Sequence, residues 1–359
     1  MKFSIIIIHY KNILDTKNCL KSILKQTYKN FEIIIFNNSN QGNFENEIRK
    51  IYKTNNLKII TSKKNQGYAG GVYQAEKKAK GEIILILNND TVINKKMLLL
   101  ATYEFKKKNS ADIMQPMLVQ NSKVSDSFGV YSTPTTFLYH LCLFSDYEKN
   151  NFKNSLYIFS VKGAAMFVKK KVFTKIGSFY PFFWNYYEET DFCHRAWICG
   201  FKTIFNPKLG LVYHLVGRSS AQYSRGLLFY HNFKNKFFSN LVNYSALNLP
   251  LVIFKHILIL IICAFVFAFN KNYSAGILII KSFFWPLLNV RLVLKERKKV
   301  QKKRVLSDSK IDIYTKFTPP IQYYFKFLKK MIVNNKTQKT FLLEKNMNEE
   351  IKKKFLVLN

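Results

Sequence analysis

Four short apolar runs, at residues 5–8, 33–36, 57–60 and 82–87, constrain this chain more than any other feature, because each is too short for a buried helix and too uniformly apolar for a half-exposed strand. Between the first two, Cys19, Leu20, Ile23 and Leu24 recur at helical spacing, which gives a β-α-β unit. An Ala/Lys/Glu-rich helical segment likewise separates the third run from the fourth. Strands apolar on both faces and alternating with helices predict a parallel sheet covered on both sides. In such sheets ligands sit beyond the carboxyl ends of the strands. The residues there are small and polar: His9-Tyr10-Lys11-Asn12 after the first run, Asn37-Asn38-Ser39-Asn40 after the second, and Asn88-Asn89-Asp90-Thr91 after the fourth. Three strand ends are therefore expected to converge on one polar crevice.

The 359 residues are 48% apolar and 16% aromatic, so the chain can bury a full core and lies outside the composition of disordered proteins. Lys and Arg number 57 against 21 Asp and Glu, a net charge of +36 that suits phosphates, anionic lipid or an acidic ligand. Part of that excess is compositional, since Lys, Asn, Ile, Phe and Tyr rise together as in AT-rich coding. Five scattered cysteines without a C-x-x-C pair argue against a disulfide framework or a structural zinc site and favour a reducing compartment. The short apolar run behind Met1 reads as a buried strand and not as a secretory signal. No G-x-G-x-x-G opens the first helix and no G-x-x-x-x-G-K-[ST] occurs, which leaves dehydrogenase-type dinucleotide binding and a P-loop without support. The Gly70-Gly71 pair is also what a turn would need.

Taken in order, Ile5-Ile6-Ile7-Ile8-His9-Tyr10-Lys11-Asn12, Gln26-Thr27-Tyr28, Asn65-Gln66-Gly67-Tyr68-Ala69-Gly70-Gly71 and Leu87-Asn88-Asn89-Asp90-Thr91 resemble the family 2 glycosyltransferases of GT-A fold, the rhamnosyltransferase-like branch in particular. The resemblance continues through Gly163-Ala164-Ala165-Met166, the Tyr187-Glu188-Glu189-Thr190-Asp191-Phe192-Cys193-His194-Arg195 stretch and Val212-Tyr213-His214, and covers residues 3–235. It implies an α/β fold, with a mostly parallel twisted sheet flanked by helices, in residues 1–235. It also implies inverting transfer of a sugar from a nucleotide diphosphate donor, dTDP-rhamnose or a UDP-hexose, to a hydroxyl of a lipid-linked surface glycan.

The chemistry of each motif fits that expectation. Displacing a nucleoside diphosphate at neutral pH needs a cation beside the leaving group. Mg²⁺ or Mn²⁺ needs only one or two protein carboxylates when phosphates and waters complete its shell, and Asp90 at a strand end is the candidate. The family's D-x-D is reduced here to Asn88-Asn89-Asp90. The competing role for Asp90 is the cap of a helix beginning at Val92. The resemblance places His214 near the diphosphate or its metal, with Gly217, Arg218 and Ser219 as further phosphate donors. Glu188, Glu189 and Asp191 put three acids into four positions, flanked by Phe182, Phe183, Trp184, Tyr186 and Tyr187. Mutual repulsion and poor solvation raise carboxyl pKa values, as a general base for a sugar hydroxyl requires. The family pattern makes Glu189 the first choice for that base and Glu188 the second. Asp191 and Arg195 stand at i and i+4, the spacing of a helix ion pair, and the whole cluster would also complement a helix N-terminus. By resemblance, Tyr10 and Asn37 contact the nucleobase, while Asn65, Gly67 and Asn89 approach the nucleotide sugar. Asn37 stands where the family usually carries Asp.

Beyond residue 235 the pattern changes. Residues 250–269 are apolar but interrupted by Lys255 and His256, which leaves an unbroken stretch of 257–269, short for a hydrocarbon core about 30 Å thick. A second apolar segment, 276–290, contains Lys281 and Pro286, and residues 295–304 then pack seven cations against one acid. Apolar helices beside a polybasic run suit anchoring to anionic lipid at the cytoplasmic membrane face, so 236–305 reads as a membrane-associating region and 306–359 as a lysine-rich tail. A core or dimer helix and a transmembrane hairpin are the competing readings. Nucleic acid is not an expected partner, because no aromatic residues interleave the basic run. Two rival functions stay open: a degenerate, non-catalytic transferase domain acting in membrane complex assembly, and a processive polysaccharide synthase, whose Q-x-x-R-W element is not evident.

Overall fold

The computed structural model describes all residues except 40–41, 53–54, 122–123, 147–151, 216–222, 326–341 and 358–359. The four apolar runs form β1 (Phe3–His9), β2 (Phe31–Asn37), β3 (Leu57–Thr61) and β4 (Ile83–Asn88), parallel and side by side in the order β3-β2-β1-β4. Their alternate residues face opposite ways: Ile6, Ile8, Ile34 and Ile84 enter one core, Ile5, Ile7, Ile33 and Leu85 the other. Helix α1 (Ile13–Leu24) begins at Asn12, whose side chain accepts the amides of Leu14 and Asp15, and it buries Cys19, Leu20 and Ile23 against the second core. Helices α2 (Phe44–Arg49), α3 (Gly67–Glu76) and α4 (Met97–Lys106) complete the first half.

The sheet is less parallel than the runs predict. After β5 (Thr91–Ile93), β6 (Ile113–Gln115), β7 (Met117–Val119), β8 (Ser125–Ser127), β9 (Val130–Ser132), β10 (Leu138–His140) and β11 (Leu156–Tyr157) comes β12 (Ala165–Lys169), which pairs antiparallel with both β4 and β6. With β13 (Thr203–Phe205) the main sheet reaches eight strands, ordered β11-β13-β6-β12-β4-β1-β2-β3. A four-stranded sheet, β5-β14-β7-β8, receives β14 (Leu211–His214) between β5 and β7 and so carries His214 back to the end of β4. Helices α5 (Lys170–Ile176) and α6 (Glu188–Ile198) follow β12.

The fold is closed by helices α7 (Arg225–Asn243), α8 (Leu249–Phe269), α9 (Tyr273–Leu288), α10 (Val290–Lys302), α11 (Asp308–Thr315) and α12 (Leu342–Lys354). The boundary expected between residues 235 and 236 falls inside α7, which packs on α6, α8, α9 and α10. Helix α8 runs through Lys255 and His256 for 21 residues, about 31 Å at 1.5 Å per residue, so the 13-residue uninterrupted stretch understates it. The reason is local: His256 turns inward with Ile259, Leu260 and Cys263, and Lys255 lies alongside. The basic run is only partly available to lipid. Arg297 donates to the carbonyls of Leu241 and Tyr244, Arg304 to those of Asn243 and Leu306, and Lys303 to that of Lys175, so three of its cations cap the end of α7 and neighbouring turns. The chain beyond 305 is not all tail either: Met347, Ile351 and Phe355 are buried in the main core, and the Phe355 carbonyl accepts the Tyr157 amide at 2.8 Å.

Candidate active site

A cleft of about 390 Å³ opens at the carboxyl ends of β1 and β4, and its wall includes Tyr10, Asn65, Gly67, Asn88, Asn89, Asp90, Glu188, Glu189 and His214. Asp90 is not a helix cap, since Thr91–Ile93 is a strand. That strand and β14 pair antiparallel, setting His214 opposite Thr91. His214 Nε2 lies 3.3 Å from Asp90 Oδ1 and 3.3 Å from Asn88 Nδ2, while Nδ1 is 2.8 Å from Asp126 Oδ2. Asp126, fully buried, also pairs with Lys162. Burial pushes the imidazolium of His214 down, but hydrogen bonds to Asp126 and Asp90 outweigh it and lift the pKa to about 9. Burial alone would raise Asp126; His214 and Lys162 reverse that and hold it at about 2. Among the described residues no three His, Cys, Asp or Glu side chains form a ready metal cage. The donors present fit a cation shared with a ligand, one carboxylate, Asp90, and the imidazole of His214, whose Nε2 proton a bound cation would displace while Nδ1 stays fixed by a buried carboxylate.

Glu188 and Glu189 open α6 behind a turn of unusual backbone. Trp184, Tyr186 and Tyr187 all have left-handed φ, between 64° and 70°, a conformation that costs a bulky residue about 1–3 kcal/mol. The turn is held from two sides. Ala69 donates its amide to the Trp184 carbonyl at 3.2 Å, and Asn235 of α7 donates to the carbonyls of Phe183, Asn185 and Tyr186 at 3.0, 3.0 and 2.7 Å. Glu188 is buried, and its Oε2 has no protein partner among the described residues. Burial and the charge of Glu189 push its carboxyl well above the usual range. Glu189, at the cleft, is raised by burial and partly drawn back by its own amide, by that of Gly163 and by Lys162. Its Oε1 lies 3.4 Å from the Gly163 amide, and Tyr68 fixes the Gly163 carbonyl at 2.7 Å. Asp191 takes the ion-pair role expected of it, 2.7 Å from Arg195 Nε, and also accepts from Asn243.

The remaining candidates divide. Tyr10 and Asn65 reach the cleft, the latter 3.5 Å from the Tyr223 hydroxyl. Asn89 lines it and is tied to Thr16 at 3.1 Å. Asn37 does not line the cleft: it is 1% exposed and its Oδ1 accepts from the amide and hydroxyl of Ser39. Its neighbour Asn38 lines the wall instead, bridging the Gly67 carbonyl and the Gln66 amide. Gly67 is required for a reason other than room for a nucleotide. Its φ is +70°, and a Cβ there would stand 2.1 Å from the Trp184 carbonyl oxygen. Gly70 and Gly71 lie within α3 and are no turn; a Cβ on Gly71 would meet Ile8 and Phe36 at 3.1 Å. Gln26 ties α1 to the loop before α4 through Asn94 and Leu98, so the Gln-Thr-Tyr motif is architectural. Gly217, Arg218 and Ser219 lie outside the described residues. Asp126 and Lys162 escaped the sequence reading because neither sits in a patterned motif; Tyr68 and Asn38 lie in motifs the sequence shows, but Tyr68 reaches Gly163 only through the fold, and the choice between adjacent asparagines depends on strand phase.

Comparison with known proteins agrees with this architecture. Residues 4–176 match the Glycosyl transferase family 2 model. The matched segment holds β1 to β12, and with them Asp90, Tyr10, Asn65, Gly67 and Asn89 of the cleft wall. The low-salt glycan biosynthesis hexosyltransferase Agl10 of Haloferax volcanii is 26% identical over 197 residues, 54% of this chain and 61% of that protein, so the chain spans about six-tenths of the relative's length. Among solved structures, GalNAc-T7 with UDP, GalNAc and Mn²⁺ superposes with a TM-score of 0.55 at 16% identity, covering 68% of this chain and 48% of that one. The mannosyltransferase PcManGT of Pyrobaculum calidifontis, bound to GDP-Man and Mn²⁺, superposes with a TM-score of 0.50 at 11% identity, covering 84% of this chain and 85% of that one. These likenesses establish a GT-A-like fold. The family 2 match and the hexosyltransferase relative support a glycosyltransferase enzyme.

Proposed function

We propose that this chain is an inverting glycosyltransferase that moves a hexose-type sugar, from dTDP-rhamnose or a UDP-hexose, onto a hydroxyl of a lipid-linked glycan. The observation that carries this reading is that one cleft is lined by Asp90, His214, Glu188 and Glu189. Asp90 and His214 would hold a divalent cation, Mg²⁺ or Mn²⁺, which supplies positive charge to the departing diphosphate. Tyr10, Asn38, Asn65 and Asn89 line the wall that would receive the nucleotide sugar. Glu189 takes the proton of the acceptor hydroxyl. The hydroxyl oxygen forms a bond to the anomeric carbon as the bond from that carbon to the β-phosphate oxygen breaks, and the nucleoside diphosphate departs with the electron pair. One carboxylate base suffices because this leaving group needs no separate protein acid. The Mn²⁺ in both structural neighbours, the UDP and GalNAc in one and the GDP-Man in the other, and the hexosyl transfer in the name of the Haloferax relative, support the substrate class. The catalytic unit runs through α7, which braces the acidic turn.

For the acceptor side, helices α8 and α9 expose Phe254, Phe265, Phe269, Ile277 and Phe284 while their other faces pack on the fold. Helix α8 is apolar and long enough to cross a membrane, with 39% of its apolar window buried inside the protein. We read this face, with the exposed lysines of α10, as lying in the cytoplasmic interface of an anionic membrane, where a lipid-linked acceptor would be presented. Titration with a panel of nucleotide sugars in Mn²⁺ or Mg²⁺, followed by donor hydrolysis, tests the function. Cation-dependent binding with slow hydrolysis of one donor is expected; binding of none favours a non-catalytic domain.

A further inference from the structure

One face of α7 covers the strained turn in front of the acidic pair. His231 lies against the Trp184 ring at 4.9 Å, Lys234 Nζ donates to the Phe182 carbonyl at 2.9 Å, Asn235 gives its three hydrogen bonds, and Phe238 packs edge-on to Phe182 and Phe183. These positions follow the i, i+3, i+4, i+7 spacing of a single helical stripe. Asn235 is fully buried and its Oδ1 has no protein partner among the described residues, while the two N–H groups of its Nδ2 are shared among three backbone carbonyls of the turn. The turn does not hold itself: Tyr187, at the helix start, makes no side-chain cap, and three of the four positions 184–187, all bulky, hold φ values that glycine normally occupies.

We propose that Asn235 is a positioning residue for the transfer reaction, acting through the 183–187 turn to hold Glu188 and Glu189 in the poorly solvated part of the cleft. The assignment rests on the reading of Glu189 as the base. The turn links both halves of the site, since the Trp184 carbonyl also receives the Ala69 amide beside Gly67. Groups facing the acidic pair are Tyr68 of α3, Lys162 ahead of β12 and Tyr187 of the turn itself. Releasing the clamp lets water reach the pair, which lowers its proton affinity and moves a carboxylate away from the acceptor hydroxyl.

The test uses the full chain with Asn235→Ala and the milder Asn235→Ser, which keeps one donor. Both are expected to lose about 10²-fold in kcat, as for a misplaced base, with nucleoside diphosphate affinity in Mn²⁺ close to wild type, the acid limb of the pH–rate profile moved to lower pH, and faster deuterium uptake across residues 182–191. Wild-type kcat and pH profile in both variants overturn the proposal, and so does failure of both to fold, which would assign Asn235 to stability alone. A wild-type protein that transfers no sugar refutes the catalytic reading and not the clamp, whose status the deuterium uptake then decides: unchanged uptake overturns it.

Discussion

Glu189 and Gly67 show how differently two residues of one motif set can be used. Replacing Glu189 by Gln removes the proton acceptor but keeps size and hydrogen-bonding shape, so transfer should fall by about 10²–10⁴-fold while donor affinity holds. Loss of donor binding, measured by titration calorimetry, would take Glu189 out of the base role. The pH dependence follows in sign from the raised acids. A base must be ionised to act, and burial holds its pKa above the ordinary 4.5, so kcat/KM should decline on acidification at a higher pH than an unperturbed carboxylate would give. A limb centred at or below 4.5 would contradict the buried setting. Gly67→Ala meets both a positive φ and a backbone oxygen that cannot move aside, so its cost should exceed the roughly 1 kcal/mol of an ordinary Gly-to-Ala misfit. Denaturant unfolding measures it, and a stability equal to wild type would mean the Trp184 turn yields freely.

At the scale of elements, what was legible in the chain were those pieces whose chemistry is local. The four apolar runs gave the parallel strands with ends shifted by one or two residues, because β-branched continuity is a property of the segment itself. The Asp191–Arg195 pair was legible for the same reason, helical spacing. Antiparallel β12 was not, since only its position between β4 and β6 decides its direction. Asp126 reached His214 through the pairing of β7 with β14 and β8, a long-range register that no spacing records. The pairing of Asp191 with Arg195 also carries a prediction about α6. Both side chains are buried, and the guanidinium further donates to the carbonyls of Ile176 and Ser178. Arg195→Met leaves a buried carboxylate with Asn243 as its remaining partner and should destabilise the fold by about 3–5 kcal/mol. Thermal unfolding that shows no loss would imply that Asp191 is solvated once the arginine is gone.

The whole molecule joins a polar cleft to an apolar flank through α7, whose one face braces the acidic turn while other residues pack on α8 and α9. That arrangement changes how membrane attachment can be tested. Truncation after residue 245 would strip Val293, Val300, Ile311 and Phe355 from the main core, so lost vesicle binding by such a fragment would say nothing about a lipid-facing surface. Surface substitution avoids this. Phe254, Phe265 and Phe269 are 64%, 69% and 80% exposed, so changing all three to Gln leaves the packed stripe of Val252, His256, Ile259, Cys263 and Phe267 intact. If this face enters the interface, each Phe contributes up to about 1.5–3 kcal/mol of burial, and the triple variant should leave anionic vesicles in a sedimentation assay while keeping its unfolding temperature. Electrostatic attraction adds a separate signature. Exposed lysines such as Lys295, Lys298 and Lys302 contribute about 1 kcal/mol each near an anionic surface, a gain that high salt screens, whereas the aromatic part persists. Wild-type binding that weakens in salt and vanishes only when the three aromatics are also changed supports the interfacial reading; sedimentation unaffected by the substitutions would mean that this apolar face meets a protein surface instead.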